Sequence, residues 1–422
     1  MKVEVLDADV SFAEQTLVKP LVLSTGPIAR VTEARAEVTV RVDGRRATGR
    51  GSIYLSDLWA WPDPALGHIA RDATLRRLCE TIADDLKAMC GNEAAHPLTL
   101  GMRLHHTVCE GGQTWDIPPV LARAMCVSPF DGAIHDATGI ALGCSAFGFY
   151  DDPVPIPGVD RFFEGRSACA TIREMLRPPQ RTFDAWWVVG KDDSLSDDVG
   201  PAVRKGYRCF KLKVMGRDNA ADAARSVEVY RAVTAMGARN PRLTVDSNEG
   251  NPDADSVLDY LTRLREADGE AFEALAYLEQ PTGRDITVDR YDWREVTRLK
   301  PVMLDEGLTS LALLGEAASQ GWSGLALKTC KGHSFALVAA AWARQRRLLV
   351  SLQDLTNPGL AAIHAALFAA HVPMINGVEL NSPQYTPAAN AAWLPRLSGL
   401  FEPADGVHRL PDAVPLGLGS VL

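Results

Sequence analysis

The sequence predicts an α/β protein in which a barrel of parallel strands follows a smaller α+β segment. From about Arg181 onward, short apolar runs alternate with helical stretches of roughly 10 to 15 residues, the pattern of strand–helix–strand units. Eight such runs occur, the count that a closed TIM-type barrel needs. Five consecutive runs carry an ionisable residue at or beside their C-terminal ends, and in barrels of this type the C-terminal strand ends carry the chemistry.

The eight runs are Ala185–Val189, Cys209–Val214, Arg242–Asp246, Tyr277–Glu279, Val302–Leu304, Gly324–Lys328, Leu348–Leu352 and Gly377–Leu380. Ahead of them, alternation at Ala36–Val42 and Gly51–Leu55 predicts two antiparallel strands, with Asp43-Gly44 as the hairpin turn. Helical periodicity follows at Thr74–Met89 and Pro118–Met125, and again at Phe130–Gly143, which stops at a glycine. The Pro-rich stretch Asp151–Gly158 reads as the start of a linker. The expected division is a capping unit over residues 1–150, a linker over 151–180 and a barrel over 181–394, with a tail from 395 to 422.

A chain of 422 residues is long enough for both units, and 46% hydrophobic with 23% charged residues is ordinary for a soluble globular protein. The net charge of −9 argues against a nucleic-acid partner, which needs a basic stripe along the phosphates. Met1–Gln15 is acidic and lacks the apolar core of a secretion signal. The apolar stretch Leu360–Val372 is short and carries His364 and His371, so no membrane span is expected. Eight scattered cysteines form no Cys-x-x-Cys pair, which points to a reduced, cytoplasmic protein.

Asp246, Glu279 and Asp305 end neighbouring runs at spacings of 33 and 26 residues, each about one strand–helix repeat. One such acid alone is readily a helix cap. Three in register converge on one point, where like charges need a cation, and an all-oxygen ligand set without His or Cys favours Mg²⁺. Lys211 and Lys213 are two apart on a strand and project to the same face. Lysine also occurs on exposed edge strands, but Cys209, Phe210, Leu212 and Val214 around this pair mark a buried one. Two crowded ammoniums are expected to lower each other's pKa, which makes a lysine a usable base. Lys328 ends another apolar run and should face Lys213 across the mouth, whereas Lys331 reads as a solvated charge.

Together Lys211-Leu-Lys213, Val245-Asp246-Ser-Asn248, Leu278-Glu279-Gln280-Pro281, Leu304-Asp305-Glu306 and Leu327-Lys328 resemble the enolase superfamily, in particular its muconate lactonizing enzyme-like subgroup. Thr356–His364 and the tail from Asp405-Gly406 to Gly419 extend the resemblance over nearly the whole chain. It implies a modified TIM barrel, (β/α)₇β, closed by an N-terminal α+β capping domain that the C-terminal tail completes. It also implies Mg²⁺ on Asp246, Glu279 and Asp305, with Lys213 and Lys328 as the acid/base pair. Lys211 then tunes Lys213 or binds the substrate carboxylate, and Asn248 and Glu306 support the ligands. The implied activity is removal of the α-proton of a carboxylate such as an amino-acid derivative, through a metal-stabilised enediolate.

Departures from the family pattern bear on the reaction. The His/Asp dyad of mandelate racemases is absent: the seventh run ends in Ser351-Leu-Gln353-Asp354 and the sixth in Lys328. Gly332-His333 stands where the family often has two glycines, so His333 either reaches the site or lies exposed in a loop. Glu379-Leu-Asn381 is an imperfect echo of the Asp-x-Asp with which dipeptide epimerases hold an ammonium. Gln353 and Asp354 are further candidate substrate contacts. Specificity loops are expected at Leu23–Ile28 and Gly49–Trp61, where Tyr54, Trp59 and Trp61 suggest an apolar or cation-binding lid. Two lysines favour a racemase or epimerase; β-elimination, as in o-succinylbenzoate synthases, or cycloisomerisation uses the same residues. The partner expected is a small carboxylate, and the apolar capping surface suggests a homo-oligomer.

Overall fold

The computed structural model describes residues 1–111, 118–151, 154–413 and 415–422; residues 152 and 153 of the expected linker lie outside this set. Its N-terminal part is built on a three-stranded antiparallel sheet, β1 (Val3–Leu23), β2 (Gly26–Val42) and β3 (Arg45–Leu55), in that order. Asp43 and Gly44 both take the left-handed conformation, as the two-residue turn joining β2 to β3 requires. β1 was not expected from the sequence. Its pairing with β2 shifts register between Val5 and Asp7 and again between Thr16 and Leu21, so no single alternation runs along it.

Three helices, α1 (His68–Met89), α2 (Pro97–His105) and α3 (Val120–Leu142), pack on this sheet. Two helices were expected where α3 runs unbroken through Pro129. A proline removes one N–H and strands a carbonyl one turn back. Here Ser128 Oγ donates to Met125 O at 2.8 Å and satisfies that turn. β3 meets α3 at backbone distance: a Cβ on Gly51 would lie 2.0 Å from Pro129 O, and one on Gly49 2.1 Å from Ala137 N. The buried Asp136 of α3 joins three parts of the chain, accepting from Arg50 N of β3 at 2.9 Å and from Leu418 N of the tail at 2.7 Å, and from the Ser420 hydroxyl.

The second sheet has seven parallel strands in sequential order: β4 (Trp186–Val189), β5 (Cys209–Lys213), β6 (Arg242–Asp246), β7 (Leu275–Glu279), β8 (Val302–Leu304), β9 (Gly324–Leu327) and β10 (Leu349–Leu352). Around it lie α4 (Asn219–Ala235), α5 (Ala254–Ala267), α6 (Ala312–Gln320), α7 (His333–Gln345) and α8 (Gly359–His371). The chain is thus a mixed α/β fold, a curled parallel sheet carrying an N-terminal antiparallel one.

The eighth expected strand, Gly377–Leu380, is not a strand of this ladder. It forms only a bridge between Gln353 and Glu379. Backbone bonds from Ile375 N to Val350 O, Glu379 N to Leu352 O and Asp354 N to Glu379 O tie this segment to β10, and side-chain amides complete the wall. Asn376 accepts from Leu352 N and donates to Leu352 O, at 3.0 and 2.9 Å. Gln384 does the same for Val188 of β4, at 3.0 and 2.8 Å. No helix among the described residues is long and apolar enough to cross a membrane.

Gly51→Ala should destabilise the protein by about 1–3 kcal/mol, because the added methyl group has no room against Pro129. The check is the urea unfolding midpoint; an unshifted midpoint would mean that β3 and α3 separate at little cost.

Candidate active site

The inner face of β5 carries Lys211 and Lys213, and the sheet register sets Lys213 beside Asp246 of β6, and Asp246 beside Glu279 of β7. Asp305-Glu306 follows β8 and Lys328 follows β9. The acids at the strand ends are not helix caps: Asp218 and Asp253 cap α4 and α5 instead. Among these groups only Lys213 is partly exposed; the rest are buried.

Ammoniums alternate with carboxylates around the mouth. Lys213 Nζ lies 2.6 Å from Asp246 Oδ2 and 2.9 Å from Asn248 Oδ1. Lys211 sits between Asp246 and Glu279, at 3.0 and 2.8 Å, and also donates to Gln353 Oε1. Lys328 reaches Asp305 Oδ2 at 2.7 Å and Glu279 Oε1 at 3.5 Å. Lys331 donates to the carbonyl and the carboxylate of Asp305. It is buried in a 3₁₀ turn that returns it to the side of Lys328, and is not the solvated charge its loop position suggested.

Burial alone would raise Asp246 and Asp305, but their lysines outweigh it and hold both below the usual carboxylate range. Glu279 and Glu306 go the other way. Burial, with the neighbouring acids, pushes them up to about 7 and about 8. The expected lowering of a lysine pKa by its twin is not what Lys211 meets. Burial acts downward, yet Glu279, Glu379 and Asp246 together raise it well above its ordinary value. Lys328 is likewise raised, by Asp305 and Glu279 against burial.

The N-terminal part covers this mouth. Together they enclose a pocket of about 580 Å³, part of it open to solvent, lined below by Lys211, Lys213, Lys328, Asp354 and Glu379. Trp59 docks the cover onto the barrel: its Nε1 donates to Glu306 Oε1 at 2.8 Å, and its ring lies 5.3 Å from Lys328 Nζ. Arg284, paired with Glu249, donates to the Trp59 carbonyl. Ser24 Oγ donates to Asn248 O at 2.7 Å.

A family model described as enolase C-terminal domain-like matches residues 195–421, more than half of the chain. The chain belongs to the mandelate racemase/muconate lactonizing enzyme family of the enolase superfamily. No curated protein matches it. Its fold is similar to solved members that each share less than a fifth of its sequence. The N-succinyl Arg/Lys racemase of Bacillus cereus is 18% identical, over 99% of this chain and 95% of that one, with a TM-score of 0.65. The muconate lactonizing enzyme of Pseudomonas fluorescens, solved with muconolactone, is 17% identical over 99% and 96%, also at 0.65. The dipeptide epimerase of Enterococcus faecalis, solved with Mg and the dipeptide L-Leu-L-Tyr, is 15% identical over 99% of both chains, again at 0.65. These neighbours are enzymes of the superfamily, whose members generally bind Mg²⁺.

Among the described residues of this family member, no three His, Cys, Asp or Glu side chains gather closely enough to hold a metal ion. Asp246, Glu279 and Asp305 are neighbours in strand order, but Lys211 and Lys328 stand between them. They nevertheless fit a hard divalent cation in donor type and in charge. Six carboxyls (Asp246, Glu279, Asp305, Glu306, Asp354 and Glu379) share the mouth with four lysines (Lys211, Lys213, Lys328 and Lys331), so acidic groups outnumber basic ones there. Asp305 Oδ2, Glu306 Oε2 and Glu379 Oε2 are buried without a directed hydrogen bond.

Of the remaining sequence candidates, Asn248 bridges Lys213 and Glu306, while Gln353 donates to Glu279. Asp354 accepts from Thr356 N and Asn381 N, and Asn381 donates to Glu379. Tyr54 and Trp59 line the pocket. His333 neither reaches it nor lies exposed; it is buried against His135, Phe147 and Phe368. Gln280, which the sequence reading passed over, accepts from Asp305 N and Gly307 N and so sets the β8 end. Asn248, Glu249, Gln280 and Thr356 all take positive φ just beyond strand ends, the kind of backbone strain that clusters at functional sites.

Lys331→Met should lower the unfolding free energy by about 3 kcal/mol in metal-free buffer, since Asp305 loses one of its two cations. Urea denaturation measures it, and full retention of stability would show that Lys328 alone neutralises Asp305.

Proposed function

We propose that this protein is a Mg²⁺-dependent racemase or epimerase that exchanges the α-proton of a small carboxylate between Lys213 and Lys328. The observation that carries the reading is the placement of these two ammoniums, which line one pocket from the second and sixth of the parallel strands. In a closed eight-position wall those strands are opposite, so a carbon held between them is reached from both faces. One lysine, as the neutral amine, takes the proton, and the other, as the ammonium, gives one to the far side.

Asp246, Glu279 and Asp305 would hold the cation, which when bound stabilises the charge that develops on the substrate carboxylate. Lys213 and Lys328, which pair with these carboxylates here, would then be free to face the substrate. Lys211, the most enclosed of the three, stays to hold Asp246 and Glu279 in place and to attract the substrate's negative charge. Gln353 and Asn248 keep the carboxylates oriented. The eight free thiols support a reducing, cytoplasmic setting.

The test is NMR in D₂O with Mg²⁺ and a panel of N-acylamino acids, dipeptides and hydroxy acids. Deuterium entering at the α-carbon with inversion is the expected result. Loss of water or ring closure on the same panel would instead make the enzyme a lyase or cycloisomerase. Lys213→Ala should lower turnover by about 10²–10⁴-fold while calorimetry shows Mg²⁺ affinity unchanged; full activity would remove Lys213 as a base. Glu279→Gln should weaken Mg²⁺ by more than the roughly 10- to 100-fold that loss of an outer supporting group costs. An unaltered affinity would take Glu279 out of the ligand set.

A further inference from the structure

The cover and the floor of the pocket differ in chemistry. Every residue that residues 1–60 contribute to its lining is uncharged, and most are aliphatic: Leu17, Leu21 and Leu23 from β1, Ile28 and Val31 from β2. Leu355, beyond β10, continues this wall on the barrel side. Leu17, Lys19, Leu21 and Leu23 lie on the covered face of β1, with Val18, Pro20 and Val22 exposed between them, so Lys19 could have put a cation into the pocket. It does not. Its ammonium is drawn to the rim, 3.0 Å from Asp193 and 3.4 Å from Asp198.

We propose that the substrate is a carboxylate with an uncharged, apolar substituent on its α-carbon or its acyl nitrogen, which packs under β1 and β2. This rests on the proton-transfer reading above for what happens at the α-carbon, but the preference itself comes from the wall. A charged substituent would leave water for a surface that offers it no counter-ion, whereas each added methylene gains contact with leucine, isoleucine and valine side chains.

Two series test this with the Mg²⁺-loaded protein: N-acetyl amino acids with unbranched side chains from alanine to norleucine, and alanine acylated with acetyl to hexanoyl. N-acetyl-lysine and N-acetyl-glutamate are the charged comparators. In at least one series kcat/KM for α-proton exchange should rise by about fourfold per methylene, with both comparators well below norleucine. Leu21→Lys, a partly buried position, should erase that rise and favour the glutamate compound, while Leu21→Met keeps the wild-type order. Comparators that exchange as fast as norleucine, or a Leu21→Lys enzyme with the order unchanged, would overturn the proposal. If nothing exchanges, calorimetric binding separates the two ideas. Affinity that grows with tail length keeps the apolar pocket and removes the proton-transfer reading; no binding of any apolar member removes the pocket proposal too.

Discussion

Ten ionisable groups, six carboxyls and four ammoniums, meet where the parallel strands end, and all but Lys213 are buried. Removing any one of them from water costs several kcal/mol, which only close partners offset. The alternation of Lys213, Asp246, Lys211, Glu279, Lys328, Asp305 and Lys331 supplies those partners. Much around it follows. Gln353, Asn248 and Gln280 each spend an amide on keeping a carboxylate or its backbone in place. Glu306, with no ammonium of its own, takes a hydrogen bond from Trp59 and so ties the cover to the barrel.

That tie makes the two parts of the chain one site. The parallel sheet supplies charge and orientation; the antiparallel sheet supplies a lid with apolar side chains and little chemistry of its own. Ser24 on Asn248, Trp59 on Glu306 and Lys19 on Asp193 hold the lid down at three places around the rim. Each of the three fastenings is a polar contact made beside the aliphatic wall rather than by it.

The barrel strands were legible because a parallel strand covered on both faces is a continuous apolar run, and Arg242–Asp246 and Val302–Leu304 match the structure residue for residue. The charged strand ends were legible for the same reason, since Lys211 and Asp246 interrupt apolar surroundings. What failed to show has local causes. β1 alternates in pieces broken by two register shifts. Pro129 reads as a stop, and only the Ser128 hydroxyl makes it a passenger. Lys331 looks free because its partner is 26 residues away in sequence. His333 sits one residue past a glycine turn and faces the cover's helix rather than the mouth.

The side-chain amide of Gln384 gives the wall of the barrel two kinds of stiffness. From β4 round to β10 neighbouring strands share backbone rungs, and one cannot move without breaking several of them. Residues 375–379 extend this to the far side of β10 through Ile375 N on Val350 O, Glu379 N on Leu352 O and Asp354 N on Glu379 O. Toward β4 the described joints are side chains, Gln384 on Val188 and the Trp186 indole on Asn376 O, so that seam acts as an expansion joint in a stiffer ring. Val188, gripped by Gln384, also lines the pocket. Local opening of the mouth is therefore expected first along the seam between Gln384 and β4, beside the apolar wall, where side chains rather than backbone rungs make the joint.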